Sequence, residues 1–240
     1  MKLILTAAAL ALTTGGAMAQ DTVRMATEGG YPPYNFLNDA GEVDGFERDV
    51  GDEICERAEL TCEWVTNEWD SIIPNLTSGN YDTIIAGMSI TDERDAVIDF
   101  TQNYFPPAAS AYAAMSEDVD LTGGVVAAQT GTIQANHVAE SGATLLEFAT
   151  YDETVAAVRS GEADAVFADK DALVPTVEES AGEMIFVGDD VPLGGGIGVG
   201  LRESDTELRD KLDAAIQSMK DDGSLNELIV EWFGEDAKTF

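Results

Sequence analysis

Two interruptions divide a chain that otherwise alternates strand and helix patterns: Pro106-Pro107, and the run Gly194-Gly195-Gly196. Paired prolines remove backbone donors and a glycine run is too free to hold regular structure, so each run marks a connection. Before the first break, residue spacing predicts a buried strand at 23–26, a helix at 46–58 with Phe46, Val50 and Ile54 on one face, a strand near 63–66, a helix at 69–76 and a strand at 82–86. After it the series restarts, with strands at 124–128, 145–148 and 163–167 and helices at 132–140, at 152–160 and after Asp169. Helices at 203–222 and 225–232 follow the glycines. This alternation is the pattern of an α/β fold. Two breaks imply two crossings between two lobes: 20–105 with 199–240 as the first lobe, 109–193 as the second, and hinges near 106–108 and 194–198. The Gly- and Pro-rich stretch Glu28-Gly29-Gly30-Tyr31-Pro32-Pro33-Tyr34 is expected to be an irregular loop after the first strand, a usual place for a site.

The amino terminus indicates where the chain works. Lys2 precedes a nearly wholly apolar run from Leu3 to Leu12, and small residues then lead to Ala17-Met18-Ala19, an A-x-A cleavage signal. Residues 1–19 are therefore expected to be a secretory signal peptide, with the mature chain starting near Gln20. No Cys follows the cleavage site, so no lipid-anchored form is expected, and no later run reaches the roughly 18 apolar residues of a membrane span. A soluble periplasmic or secreted protein is the expectation. In such an oxidising compartment the two cysteines, Cys55 and Cys62, favour a disulfide that would tie the 46–58 helix to the following strand. The alternatives are two buried thiols or a metal site, but a metal needs further ligands and His137 is the single imidazole. His137 itself is expected on a helix surface.

With 46 acidic against 12 basic residues the formal net charge is −34, which disfavours nucleic acid and anionic membrane as partners. The acids lie along helical stretches such as 47–59 and 205–222 and are expected to be solvated, although their field could also speed encounter with cationic solutes. Apolar residues make up 45% of the chain, enough to build real cores.

One segment carries candidate recognition chemistry. Ser89-Ile90-Thr91-Asp92-Glu93-Arg94 could present a hydroxyl and a guanidinium to one anion. The planar fork of Arg donates two parallel bonds to a carboxylate, each worth about 1.5–3 kcal/mol net. The competing reading is a helix start, with Thr91 as N-cap, acids in the first turn and Arg94 in a surface ion pair. No G-x-S-x-G elbow, zinc-ligand cluster or phosphate loop occurs, and neither a catalytic set nor a cofactor or metal is expected.

Thr27 to Tyr34, Gly45-Phe46-Glu47-Arg48-Asp49, the Trp69 helix, Ser89 to Arg94, Thr130-Gly131-Thr132 and Ala168-Asp169 occur in an order that resembles the periplasmic polar-amino-acid-binding proteins of ABC transporters. The likeness spans essentially the whole mature chain and is greatest to the lysine/arginine/ornithine and histidine-binding group. It implies a two-lobed type II periplasmic binding protein fold with the ligand cleft between the lobes, a monomer, a disulfide at Cys55 and Cys62, and a membrane permease as partner. It also implies roles. Arg94 would grip the α-carboxylate, assisted by Ser89 Oγ and main-chain N–H groups near Ser89 and Thr132. Asp169 would accept from the α-ammonium, Tyr31 and Trp69 would sandwich the ligand side chain, and Glu28 would receive a distal cationic group. A zwitterion leaving water needs both charges met, which agrees with the first two roles. Residues on both lobes would then favour the closed state on binding.

Ala86 and Gly87 stand where that group tends to carry serines, and Ile133 stands in place of a threonine, so fewer hydroxyls would face a ligand. Gly87 remains a candidate ligand-binding residue. The expected ligand is a cationic amino acid, with ornithine and lysine favoured because Glu28 reaches further than the usual Asp. Glutamine-like neutral amino acids and zwitterionic compatible solutes are the alternatives within binding. The rival class is a cyclohexadienyl-dehydratase-like enzyme on the same fold, using Glu28 or Asp169 beside Lys170 as a general acid.

Overall fold

The computed structural model describes residues 22–240; the expected signal peptide, 1–19, lies outside the described residues. The chain opens with β1 (Val23–Thr27), three short strands β2 (Gly30–Tyr31), β3 (Asn35–Leu37) and β4 (Val43–Asp44), then α1 (Phe46–Arg57), β5 (Cys62–Thr66), α2 (Trp69–Thr77), β6 (Thr83–Ile84), the one-turn α3 (Asp92–Asp95) and β7 (Asp99–Phe105). There follow β8 (Ala109–Ala114), β9 (Val125–Gln129), α4 (Ile133–Ser141), β10 (Thr144–Phe148), α5 (Tyr151–Ser160), β11 (Ala165–Asp169), α6 (Lys170–Glu179) and β12 (Ile185–Pro192). Strand β13 (Ile197–Leu201) and helices α7 (Thr206–Asp222) and α8 (Ser224–Phe233) end the fold.

Two five-stranded sheets result, ordered β5-β1-β6-β13-β7 and β10-β9-β11-β8-β12. In the first, β1 runs parallel to β5 and β6, while β13 is antiparallel to β6 and β7. In the second, β9 runs parallel to β10 and β11, and β8 is antiparallel to β11 and β12. The chain leaves the first sheet after Phe105, enters the second at Ala109, and returns between Pro192 and Ile197. Gly196 is required on the return: its φ of 95° is left-handed, and a Cβ there would lie 2.5 Å from Asn103 Nδ2.

The expected helices are present, and the loop at 28–34 requires a correction. Gly30 and Tyr31 pair with Phe36 and Asn35, so this stretch is partly a hairpin within a small β2-β3-β4 sheet. Tyr31 is thereby held by strand pairing as well as by turn geometry. Gly45, at the start of α1, makes the next connection possible. With φ 113° and no Cβ it lets the backbone pass against Tyr34 O, where a Cβ would sit at 2.6 Å, and Phe46 and Glu47 then donate their N–H groups to Pro33 O and Tyr34 O.

Phe46, Val50 and Ile54 are fully buried, as their spacing predicts. Tyr34, Phe46, Phe105 and Phe233 interlock under the first sheet, with Tyr34 and Phe233 centroids 4.9 Å apart and Phe46 and Phe105 5.5 Å apart. Cys55 and Cys62 form the disulfide between α1 and β5. The expectation that the acids from 47 onward are solvated fails at its first member, because the Glu47 side chain is completely buried. His137 is half-buried, its ring 5.2 Å from that of Phe167. No helix among the described residues is long and apolar enough to cross a membrane.

Candidate functional site

The carboxyl ends of β1, β9 and β11 and the loop after β6 converge on one cleft, the usual consequence of parallel strands feeding their loops to a common edge. The walls stand close together, leaving a cavity of about 30 Å³ between them. Glu28, Tyr31, Trp69, Gly87, Ser89, Arg94, Thr132 and Asp169, scattered over more than half of the chain, all line it.

Arg94 is the cationic side chain of this lining. The helix-start reading of its segment holds for the cap, since Thr91 accepts from Arg94 N at 3.2 Å, but not for a surface ion pair, because the Arg94 side chain turns inward. Its guanidinium lies 5.3 Å over the Trp69 ring, donates to Ser89 O at 2.9 Å, and reaches Gly131 O on the opposite wall at 3.2 Å. It forms no surface ion pair among the described residues. Burial lowers its pKa to about 10, opposed by the negative charge of Asp169 and Glu93. It remains a cation at neutral pH.

Asp169 ends β11 on the opposite wall. Tyr31 Oη donates to its Oδ2 at 2.7 Å and Gln134 Nε2 to its Oδ1 at 3.0 Å. Burial raises its pKa to about 6, although the Tyr31 hydrogen bond and Arg94 act the other way. Glu28 accepts from Gln129 Nε2 at 2.6 Å, also across the cleft. Its pKa rises to about 7, chiefly by burial, with Glu68, Asp70 and Glu47 adding repulsion. Three polar contacts, Tyr31 to Asp169, Glu28 to Gln129 and Arg94 to Gly131, thus join the two walls.

The remaining expected residues differ in what they can offer. Tyr31 has one face stacked on Tyr34 at 5.6 Å and meets the Tyr151 ring edge-on at 5.2 Å. Thr132 Oγ1 is engaged at the start of α4, donating to Gln129 O and accepting from Ala135 N. Gly87 lines the cleft, but its N–H donates to Glu47 Oε1 at 2.6 Å and so points away from it. Ala86 and Ile133 line the wall as apolar surface.

Sequence reasoning missed Gln129, Gln134, Tyr151 and Thr154, which also line the cleft. Gln129 could have been found as the last residue of a strand directly before Thr130-Gly131-Thr132, since strand ends carry ligand-facing groups. Gln134 and Tyr151 carry no such signal, because a polar or aromatic residue in the first turn of a helix is ordinary. No cluster of metal-binding side chains occurs among the described residues.

A model of the bacterial extracellular solute-binding proteins, family 3, matches residues 23–235. A crystal structure of a periplasmic His/Glu/Gln/Arg/opine family-binding protein from Silicibacter pomeroyi in complex with lysine superposes with a TM-score of 0.90 at 75% identity, covering 91% of this chain and 100% of the other. The octopine-binding periplasmic protein of Rhizobium meliloti is 30% identical over 95% of this chain and 96% of its own. The lysine/arginine/ornithine-binding periplasmic protein of Escherichia coli K12 is 29% identical over 90% of this chain and 89% of its own.

Proposed function

Given that the chain belongs to family 3 of the bacterial extracellular solute-binding proteins, we propose that it captures a cationic amino acid of the lysine, ornithine or arginine type for an ABC importer. The observation that carries this reading is the charge inventory of the cleft: one guanidinium, Arg94, faces two carboxylates, Asp169 and Glu28. The complement is a ligand with one negative and two positive groups. A neutral amino acid would satisfy Arg94 and Asp169 and leave Glu28 without a counter-charge, whereas lysine or ornithine matches all three. The likeness to a lysine-bound protein at 75% identity supports the same class.

Arg94, with Ser89 and the amide groups at the start of α4, takes the α-carboxylate. Asp169 takes the α-ammonium, Glu28 the distal cation, and Tyr31 and Trp69 flank the aliphatic stem. Lobe 1 (20–105 and 199–240) and lobe 2 (109–193) turn about 106–108 and 194–198. A ligand touching both lobes stabilises closure, because only contacts made better in the closed state shift the equilibrium. The closed monomer is then presented to a membrane permease. Secretion with cleavage near Ala19 places the chain in the periplasm. Binding without turnover is the activity proposed.

Ligand-stripped mature protein tests this by thermal shift and calorimetry against lysine, ornithine, arginine, histidine, glutamine and prephenate. Lysine or ornithine is expected to bind most tightly, and Glu28→Gln to weaken them by about tenfold while sparing glutamine. Affinities of Glu28→Gln for lysine, arginine, ornithine and histidine all unchanged from the parent protein would refute the Glu28 assignment. Turnover of prephenate would move the chain to the enzymes.

A further inference from the structure

The carboxylate of Glu47 lies outside the cleft, yet it joins the two first-lobe loops that build that wall. Its Oε1 accepts from Gly87 N at 2.6 Å and from Tyr104 Oη, and its Oε2 accepts from Asn35 Nδ2 at 2.7 Å. Asn35 in turn uses its Oδ1 to accept from Gly29 N at 2.7 Å. Gly29 is the neighbour of Glu28, and Gly87 lies two residues before Ser89. Both Glu47 and Asn35 are fully buried. A single carboxylate therefore ties the loop bearing Glu28 and Tyr31 to the loop bearing Ser89. Through Tyr104 it also reaches β7, the strand that leads to Pro106.

We infer that Glu47 is a positioning residue, which sets the place of the distal-cation acceptor Glu28 by holding Gly29 through Asn35. A buried carboxylate is costly unless its oxygens are met, and here four groups from three segments meet it or follow from it. Its burial against the hydrogen bonds of Tyr104, Gly87 and Asn35 leaves a raised pKa, with the charge of Asp169 adding to the rise. Glu47 stands on the buried face of α1, with Gly51 and Cys55 one and two turns further on, a place where packing alone would be served by an apolar residue.

Glu47→Gln separates the two arms. Its carbonyl oxygen can still accept from Gly87 and Tyr104, but its amide faces the Asn35 amide, donor against donor. Asn35 then rotates its oxygen toward Gln and abandons Gly29. The inference rests on the proposed function for the role of Glu28 and for its second readout; its first readout does not.

The first readout is hydrogen exchange of the ligand-free protein: in Glu47→Gln the Gly29 amide is expected to exchange about tenfold faster, while the Ile85 amide, bonded to Ala26 O just after β6, and the strand amides of the first sheet keep their protection. The second is lysine affinity in a double-mutant cycle with Asn35→Ala. Each single change is expected to weaken lysine about tenfold, and the double variant to be no weaker than either single one, because both cut the same arm. Gly29 exchange unchanged in Glu47→Gln, or additive losses in the cycle, would overturn the inference. If Glu47→Gln does not fold, Asn35→Ala alone decides: lysine affinity within twofold of the parent overturns it. A parent protein that fails to bind lysine refutes the proposed ligand, and the Gly29 exchange rate still judges Glu47.

Discussion

Tyr31 and Asp169, 138 positions apart in the chain, meet across the cleft through a 2.7 Å hydrogen bond from the phenol to the carboxylate. The Asp169 N–H returns a bond of 3.3 Å to the same phenol oxygen. The residue proposed to bind the α-ammonium is therefore oriented by the opposite wall, and Tyr31 serves as more than an aromatic face.

Tyr31→Phe keeps the ring and removes this bond. Asp169 then loses a donor to its charged form, so its pKa rises above about 6. Lysine affinity is expected to fall by roughly tenfold at pH 7, the magnitude of one hydrogen bond to a charged group, and by more at pH 6 than at pH 8. Titration calorimetry at the three pH values checks the order, and an equal loss at all three would contradict it.

Glu28 and Asp169 titrate in the fold at about 7 and about 6, above their ordinary values. The folded chain thus holds protons that the unfolded chain has released, so these two groups make stability fall as pH rises from about 4 to about 7. Bound cations favour both carboxylates, and binding must expel the protons. Lysine affinity should rise from pH 5 to pH 8. At pH 6.5 the calorimetric enthalpy should depend on the ionisation enthalpy of the buffer with the sign of proton release. No buffer dependence would show that neither group is protonated before binding.

Arg94→Lys retains charge and gives up the planar fork, the contact over Trp69 and the simultaneous reach to Ser89 O and Gly131 O. A loss of about 10- to 100-fold in lysine affinity is expected, with the melting temperature of the ligand-free protein shifted little. Retention of affinity within threefold would remove Arg94 as the carboxylate anchor.

The disulfide lies between α1 and β5, its cysteines seven positions apart in the chain, and neither cysteine lines the cleft. Reduction, or paired Cys55→Ala and Cys62→Ala, should cost about 2.5 kcal/mol by the chain-entropy model of a short loop. Denaturant unfolding measures that loss. Lysine affinity of the reduced protein at low temperature should stay within twofold.

Much of this fold was legible in the order of residues. The strand and helix series broke at Pro106-Pro107 and Gly194-Gly196, and there the chain passes between sheets, because neither residue type sustains regular structure. Phe46, Val50 and Ile54 marked a helix face because helical geometry is local. Arg94 was a candidate through the bidentate chemistry of its side chain and Asp169 through the order of motifs that resembles the family, and both line the cleft. Less legible was the hairpin at Gly30 and Tyr31, whose pairing depends on a partner strand beyond two prolines.

By itself the sequence determined the order of strands, helices and breaks, since propensity and periodicity act over a few residues, while its order of motifs supplied candidate ligand residues through a family resemblance. The tertiary structure alone decided that Glu47 is buried, that Gly87 turns its N–H away from the cleft, and that Gln129 and Tyr31 meet the two carboxylates from the far wall. Those outcomes depend on contacts 40 to 138 positions apart, which arise only when strand order brings distant loops together, and burial then sets their pKa values.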